Sequence, residues 1–244
     1  MTARGARTLV TILGWGSLAV LGLGLALTFA APPDAEQGYL SRILPIHVSS
    51  SWCAYLSFGV TMIYSLLYLF TRKLRFDRVA VVSAEVGLVF IGFTLFSGSL
   101  WGRPTWGAYW VWDARLTTTA LMFAVYLGYL MTRGLLDEPH RRARVSAAIG
   151  VVASVGVPIN YLSVYWWRGL HQTPTFSVAQ NHSYLSGNPL LQTAFFVTLA
   201  GVQLLYLFVM AYRGHLEALA FEREERELQM TGAGFDPAGR EVWS

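Results

Sequence analysis

The stretch Trp101-Gly102-Arg103-Pro104-Thr105-Trp106-Gly107-Ala108-Tyr109-Trp110-Val111-Trp112-Asp113-Ala114-Arg115 packs four tryptophans, a tyrosine and two cationic residues into fifteen positions. Apolar runs flank it on both sides, Val79–Leu100 before it and Leu116–Thr132 after it. A bilayer crossing takes about 20 helical residues. The stretch therefore reads as a connection between two spans, held where membrane meets water. Working outward, four more apolar runs appear at Leu9–Ala30, Val48–Phe70, Val145–Trp166 and Pro189–Tyr212. We expect an all-α integral membrane protein of six transmembrane helices with an external tryptophan-rich interfacial segment.

Composition agrees with that class. Of the 244 residues, 54% are hydrophobic and 13% are charged, against roughly a quarter charged in a soluble domain. So few charges do not cover a water-facing surface, and so much apolar material excludes a disordered chain. The first run is preceded by Arg4 and Arg7, as a secretory signal would be. Its apolar core is longer than the 7–15 residues typical of such signals, so it reads as a span. The domain plan is then one membrane domain over 1–212 and a tail over 213–244. The tail begins helically, with pairs such as Glu222–Arg226 at helical spacing, and is expected to be disordered from Thr231 on.

The net charge is +4, yet the cations sit in clusters between spans, which marks topology and argues against nucleic acid. Fourteen of the 18 Lys and Arg lie in the N-terminus, the second and fourth connections and the tail; Arg42, Arg103, Arg115 and Arg168 lie in the others. Such an asymmetry puts both termini in the cytoplasm and the tryptophan-rich connection outside. Seven of nine tryptophans gather on that outer side: Trp52, Trp101, Trp106, Trp110, Trp112, Trp166 and Trp167. Simple aromatic belts enrich both interfaces, so one-sided clustering needs a further cause. The single cysteine, Cys53, excludes an intramolecular disulfide and a paired-cysteine redox or zinc motif; it reads as packing.

Trp106, Tyr109, Trp110 and Asp113 recur at steps of three and four, so a short helix would set them on one face. Gly102 and Gly107 leave room for a close approach. A flat aromatic platform with cations at both ends suits a large planar hydrophobic ligand bearing anionic groups. Arg103 and Arg115 suit its carboxylates, with lipid phosphate as an equal alternative for each, and Arg168 as a substitute. Asp113 also stands where an N-cap of the next span belongs.

Histidine sharpens the picture. His140 and His215 lie at the inner side, whereas His47, His171 and His182 lie outside with the tryptophans. His47 falls just ahead of the second span and His171 just after the fifth, so two connections would bring imidazoles to one planar ligand. Imidazole is a common axial ligand of haem iron. His182 is a third candidate. Glu85, the one acidic residue within a predicted span, reads as a contact to a partner, the lower edge of a cavity or a snorkelling side chain.

The run from Trp101 to Thr118, together with Ile46-His47-Val48 and Trp166-Trp167-Arg168-Gly169-Leu170-His171-Gln172, closely resembles the tryptophan-rich (WWD) haem-handling family of bacterial cytochrome c maturation. Size, six spans and the two histidine segments are similar to its short branch, the haem exporter protein C (CcmC) family. The resemblance runs from about Leu9 to Tyr212. It implies transient haem b, with His47 and His171 as axial ligands of the iron. It also implies a platform including Trp106, Trp110, Trp112 and Asp113, to which the reading of the residues adds Trp101 and, as candidates for anionic groups, Arg103 and Arg115. It further implies a site on the periplasmic side of the bacterial inner membrane. The implied partners are the haem chaperone CcmE, the ABC-type subunits CcmA and CcmB, and the small membrane subunit CcmD. Ala179–Gly187 and the glutamate-rich tail fall outside it.

Three other readings compete. A cytochrome b-like electron carrier would hold its histidines deep in the spans, and none sits centrally in one here. A haem-translocating permease subunit would show a polar or broken path, for which the spans offer only Glu85, Asn160 and Pro158. A longer superfamily member that attaches haem itself would need more spans. With no triad, phosphate loop or paired-carboxylate site, the chain reads as a binding and delivery protein, not an enzyme on its own.

Overall fold

The computed structural model describes residues 3–167, 169–172, 176–177, 182–183, 185 and 187–230. The chain is an all-α integral membrane protein; among the described residues six helical segments are long and apolar enough to span a bilayer. Helix α1 covers Ala3–Ala30, and a 3-10 turn at Tyr39–Ile43 leads into α2, Leu44–Thr71. Then come α3 (Leu74–Trp106), α4 (Ala114–Gly134), α5 (Pro139–Ser154), α6 (Gly156–Trp166) and α7 (Pro189–Met230). A two-residue antiparallel ladder, Phe176–Ser177 on His182–Ser183, precedes α7.

The fifth span is broken, where the hydropathy pattern reads as one rod. Pro158 has no N–H for the carbonyl of Ser154, and the chain turns at Val155, where α5 gives way to α6. Below the break α5 packs on α2: Ser154 Oγ donates to Phe58 O at 3.1 Å, and a side chain on Gly150 would press on Ser65, Tyr129 and Thr61. Above it α6 turns to α4, where a side chain on Gly156 would meet Met122. The break thus parts α6 from α2 at the tryptophan-rich end.

Small residues set the remaining contacts, as membrane interiors require. A Cβ on Gly24 would lie 2.9 Å from Thr198 N, and one on Gly201 would lie 2.9 Å from Leu21 N, so α1 and α7 run antiparallel in close contact. Replacing Gly24 with leucine is expected to overpack this seam at a cost of about 1–3 kcal/mol. Lower thermal stability in detergent and proteolytic release of α1 would report it. The core stacks Phe58 on Tyr126, ring centroids 3.6 Å apart. Tyr126 O–H and Ser154 Oγ share a 2.9 Å hydrogen bond. Cys53 is fully buried against Val86, Val202 and Tyr206.

The end opposite the tryptophans carries the charge. Arg133 grips Asp77 with two bonds of 2.7 and 2.8 Å. Glu85 pairs within the chain, with Arg213 of α7 at 3.0 Å, so neither a partner nor a cavity edge is needed to explain it. Helix α7 continues without a break from the sixth span into the tail as far as Met230. The tail expected to be disordered from Thr231 lies outside the described residues, as does Arg168.

Candidate functional site

The tryptophan-rich stretch is not one short helix. Helix α3 carries Trp101 and Trp106 on its last turns and stops there. Pro104 weakens the ladder, and Gly107 adopts φ 79°, the left-handed cap that favours glycine. Its N–H closes the helix on Arg103 O at 3.0 Å. Residues 107–113 then run without helix, carrying Trp110 and Trp112, and Asp113 N-caps α4 through a 2.8 Å bond from Arg115 N–H to Oδ1. Trp106, Tyr109, Trp110 and Asp113 therefore share no helical face.

His47 also sits differently from expectation. Pro45 suits a helix's first turn, so α2 starts at Leu44 and takes His47 into its opening turn rather than a loop. The imidazole is buried, 9% exposed, and stands edge-on to Trp101 with centroids 5.5 Å apart. Gly98 of α3 makes the room, since a Cβ there would lie 3.0 Å from His47 Cε1. His171 lies in the connection after α6 and packs against Trp106, centroids 6.2 Å apart. Each histidine thus leans on one tryptophan of α3.

Their hydrogen bonds fix which nitrogen is free. Ser97 Oγ–H donates to Phe93 O at 2.7 Å, so its oxygen accepts from His47 Nδ1–H at 2.9 Å. His171 Nδ1 lies 2.9 Å from Gln172 O, a carbonyl that only accepts. Both rings therefore carry the proton on Nδ1 and keep the lone pair on Nε2. Such second partners orient imidazole for a metal. Burial lowers the His171 pKa to about 4, helped by the Arg115 guanidinium, so its neutral form persists far below the ordinary 6.5.

His47 and His171 line one cleft of about 1270 Å³ including its open mouth, together with Trp101, Trp106, Trp110 and Arg115. Its aromatic wall suits a large planar ligand. The part of the cleft nearer mid-bundle lies where α6 leaves α2. There Tyr55 O–H donates to Asn160 Oδ1 and Trp52 faces Tyr161, centroids 6.3 Å apart. The Asn160 amide in turn donates to Thr118 Oγ1 at 2.7 Å and Thr119 Oγ1 at 2.9 Å. Sequence reading left Trp52, Tyr55, Tyr161 and Ser97 out of the site. A polar Asn160 beside a helix-breaking Pro158 was the available signal.

Three expected residues are not on the cleft wall. Trp112 is 83% exposed and stands edge-on to Trp110 at 5.7 Å. Arg103 is exposed, spends an N–H on Gly107 O and lies over Tyr109 at 5.7 Å; the end of α3 turns it outward. Asp113 is buried behind the wall and accepts from the N–H of Leu170 at 2.9 Å. Arg115 reaches the cleft while holding Tyr161 O at 3.0 Å. The side chain of His182 lies outside the described residues.

The family model described as heme exporter protein C (CcmC) matches residues 2–230. The chain belongs to this family. It is 36% identical over 228 residues to the heme exporter protein C of Bradyrhizobium diazoefficiens, covering 91% of this chain and 84% of that protein. The Escherichia coli K12 heme exporter protein C is 34% identical, over 68% of this chain and 71% of its own length. A putative cytochrome c biosynthesis ccmC-like mitochondrial protein of Arabidopsis thaliana is 37% identical, over 69% and 63%. Membership of the haem exporter protein C family places the chain in haem export and cytochrome c biogenesis, as a multi-pass membrane protein handling haem.

Proposed function

We propose that the chain holds haem b transiently between Nε2 of His47 and Nε2 of His171. The site lies at the periplasmic face of the bacterial inner membrane, and haem passes from there to the haem chaperone CcmE. One observation carries this reading: two imidazoles with their Nε2 lone pairs free line a single tryptophan-walled cleft. Trp101, Trp106 and Trp110 supply the stacking wall, and the Arg115 N–H groups not spent on Asn160 and Tyr161 carbonyls face a propionate. Trp112 and Arg103, set outward, act at the rim.

The two ligands differ in mobility. His47 stands on a helix and is tied to a second helix through Ser97, whereas His171 stands in a connection. Handover then begins at His171, and His47 releases last. The cation-rich end of the bundle lies in the cytoplasm with both termini, facing the ATP-hydrolysing subunit CcmA, while CcmB and CcmD accompany the chain in the membrane. Delivery, with no covalent chemistry on this chain, is its part in the process.

The test is co-purification with CcmE after haem supply, scoring haem on each protein. Haem appearing on CcmE in step with its loss from this chain supports delivery; CcmE that loads haem equally well without this chain overturns it. The His171 environment adds a pH expectation. With the pKa lowered to about 4, the neutral ring survives as pH falls through 6.5. Haem uptake, read from the Soret band, is expected to hold level from about pH 7.5 to about pH 5.5 and to fall on approach to pH 4.

A further inference from the structure

Asp113 lies in the motif that the haem reading assigns to the binding platform, yet its carboxylate is not on the cleft wall. It is 8% exposed, and both oxygens are used inside the protein. Oδ1 accepts from Arg115 N–H at 2.8 Å, capping α4. Oδ2 accepts from Leu170 N–H at 2.9 Å and stands 3.5 Å from His171 N. A carboxylate that accepts successive backbone N–H groups holds a turn in place, with bonds stronger than those of a neutral acceptor.

Gly169 completes the arrangement. A methyl built on its Cα would overlap Asp113 Oδ2 and lie 2.8 Å from Cγ. The residue before Leu170 must therefore lack a side chain if the carboxylate is to reach the two N–H groups beyond it. The same buried side chain thus starts α4, which carries Arg115 to the cleft, and seats the backbone that carries His171. Nothing else among the described residues hydrogen-bonds the N–H of Leu170 or of His171.

We infer that Asp113 is a positioning residue: with Gly169 it forms a latch that fixes the His171 backbone relative to α4 and so sets the second axial ligand, without touching haem. This rests on the proposed ligation by His171. The latch also gives the handover a local control point, because loosening it frees His171 while His47 stays anchored on Ser97.

The experiment compares absorption and electron paramagnetic resonance spectra of full-length, haem-loaded protein for H171A, D113N and G169A. D113N keeps an oxygen for the α4 cap, and G169A keeps the carboxylate itself but crowds it, so the two attack the latch from opposite sides. Both are expected to convert most of the low-spin signal to the high-spin signal of H171A, with haem loss to apomyoglobin about tenfold faster, and added imidazole restoring the low-spin form. Thermal unfolding of the haem-free protein should stay close to wild type, which a purely structural role would not allow. If H171A changes the spectrum while D113N and G169A keep the wild-type one, the latch is refuted and His171 ligation stands. If H171A itself changes nothing, the ligation and the latch fall together.

Discussion

Replacing His47 with alanine is expected to abolish low-spin haem binding, and replacing His171 is expected to leave a five-coordinate, high-spin complex. Each substitution removes one bond to iron. The loss should exceed the 10- to 100-fold that removal of a mere supporting partner costs a metal site. The two are not equivalent, because His47 is buried on α2 and fixed through Ser97, whereas the His171 ring is fixed within its own connection by Gln172 O. H47A is therefore expected to purify nearly colourless. H171A should keep part of its haem and recover a low-spin spectrum with imidazole. Unaltered spectra in both variants would remove these residues as ligands and with them the proposed handover. S97A should act as a weaker copy of H47A, since it leaves the imidazole but frees its tautomer and angle.

The second large effect concerns stability and spares the site. Asp77 and Arg133 form a doubly bonded ion pair with side chains only 7% and 13% exposed, at the end away from the tryptophans. Removing one partner of a buried pair strands the other charge, which costs about 3–5 kcal/mol. R133A is accordingly expected to lower the unfolding transition sharply in detergent. Removing both charges at once, as in D77N combined with R133M, should recover most of it, because no uncompensated ion remains. Protein that survives purification should still show the wild-type haem spectrum. A single R133A as stable as the wild type would mean that the pair is solvated in the membrane-bound protein.

Much of the fold is legible in the sequence. The apolar runs gave six spans because a helix in lipid satisfies its own backbone and needs only length and greasiness to be recognised. The predicted spans lie within longer helices, Val79–Leu100 inside Leu74–Trp106 and Pro189–Tyr212 inside Pro189–Met230. The helices run on past the apolar stretches because polar residues such as Glu222 and Arg226 continue a helix in water as readily as they end a hydropathy run. His47 and His171 stood out because histidine is scarce and these two lay beside tryptophans. Helical spacing within the motif misled for a local reason: Pro104 and Gly107 end α3, and period arguments fail once a helix stops.

The sequence itself marked the spans, the tryptophan-rich end and the pair of candidate histidines, since hydrophobicity and residue type are local properties. Only the tertiary structure decided which of the marked residues meet. The bend at Val155 sends α6 away from α2 and leaves space there, which admits Trp52, Tyr55 and Tyr161 to the cleft wall. The turn at Gly107 sends Arg103 and Trp112 outward, and Gly169 lets Asp113 reach past it to the His171 backbone. Those outcomes depend on contacts between residues far apart in sequence, 105 positions in the case of Tyr55 and Asn160, and packing at that distance leaves no trace in the order of neighbours along the chain.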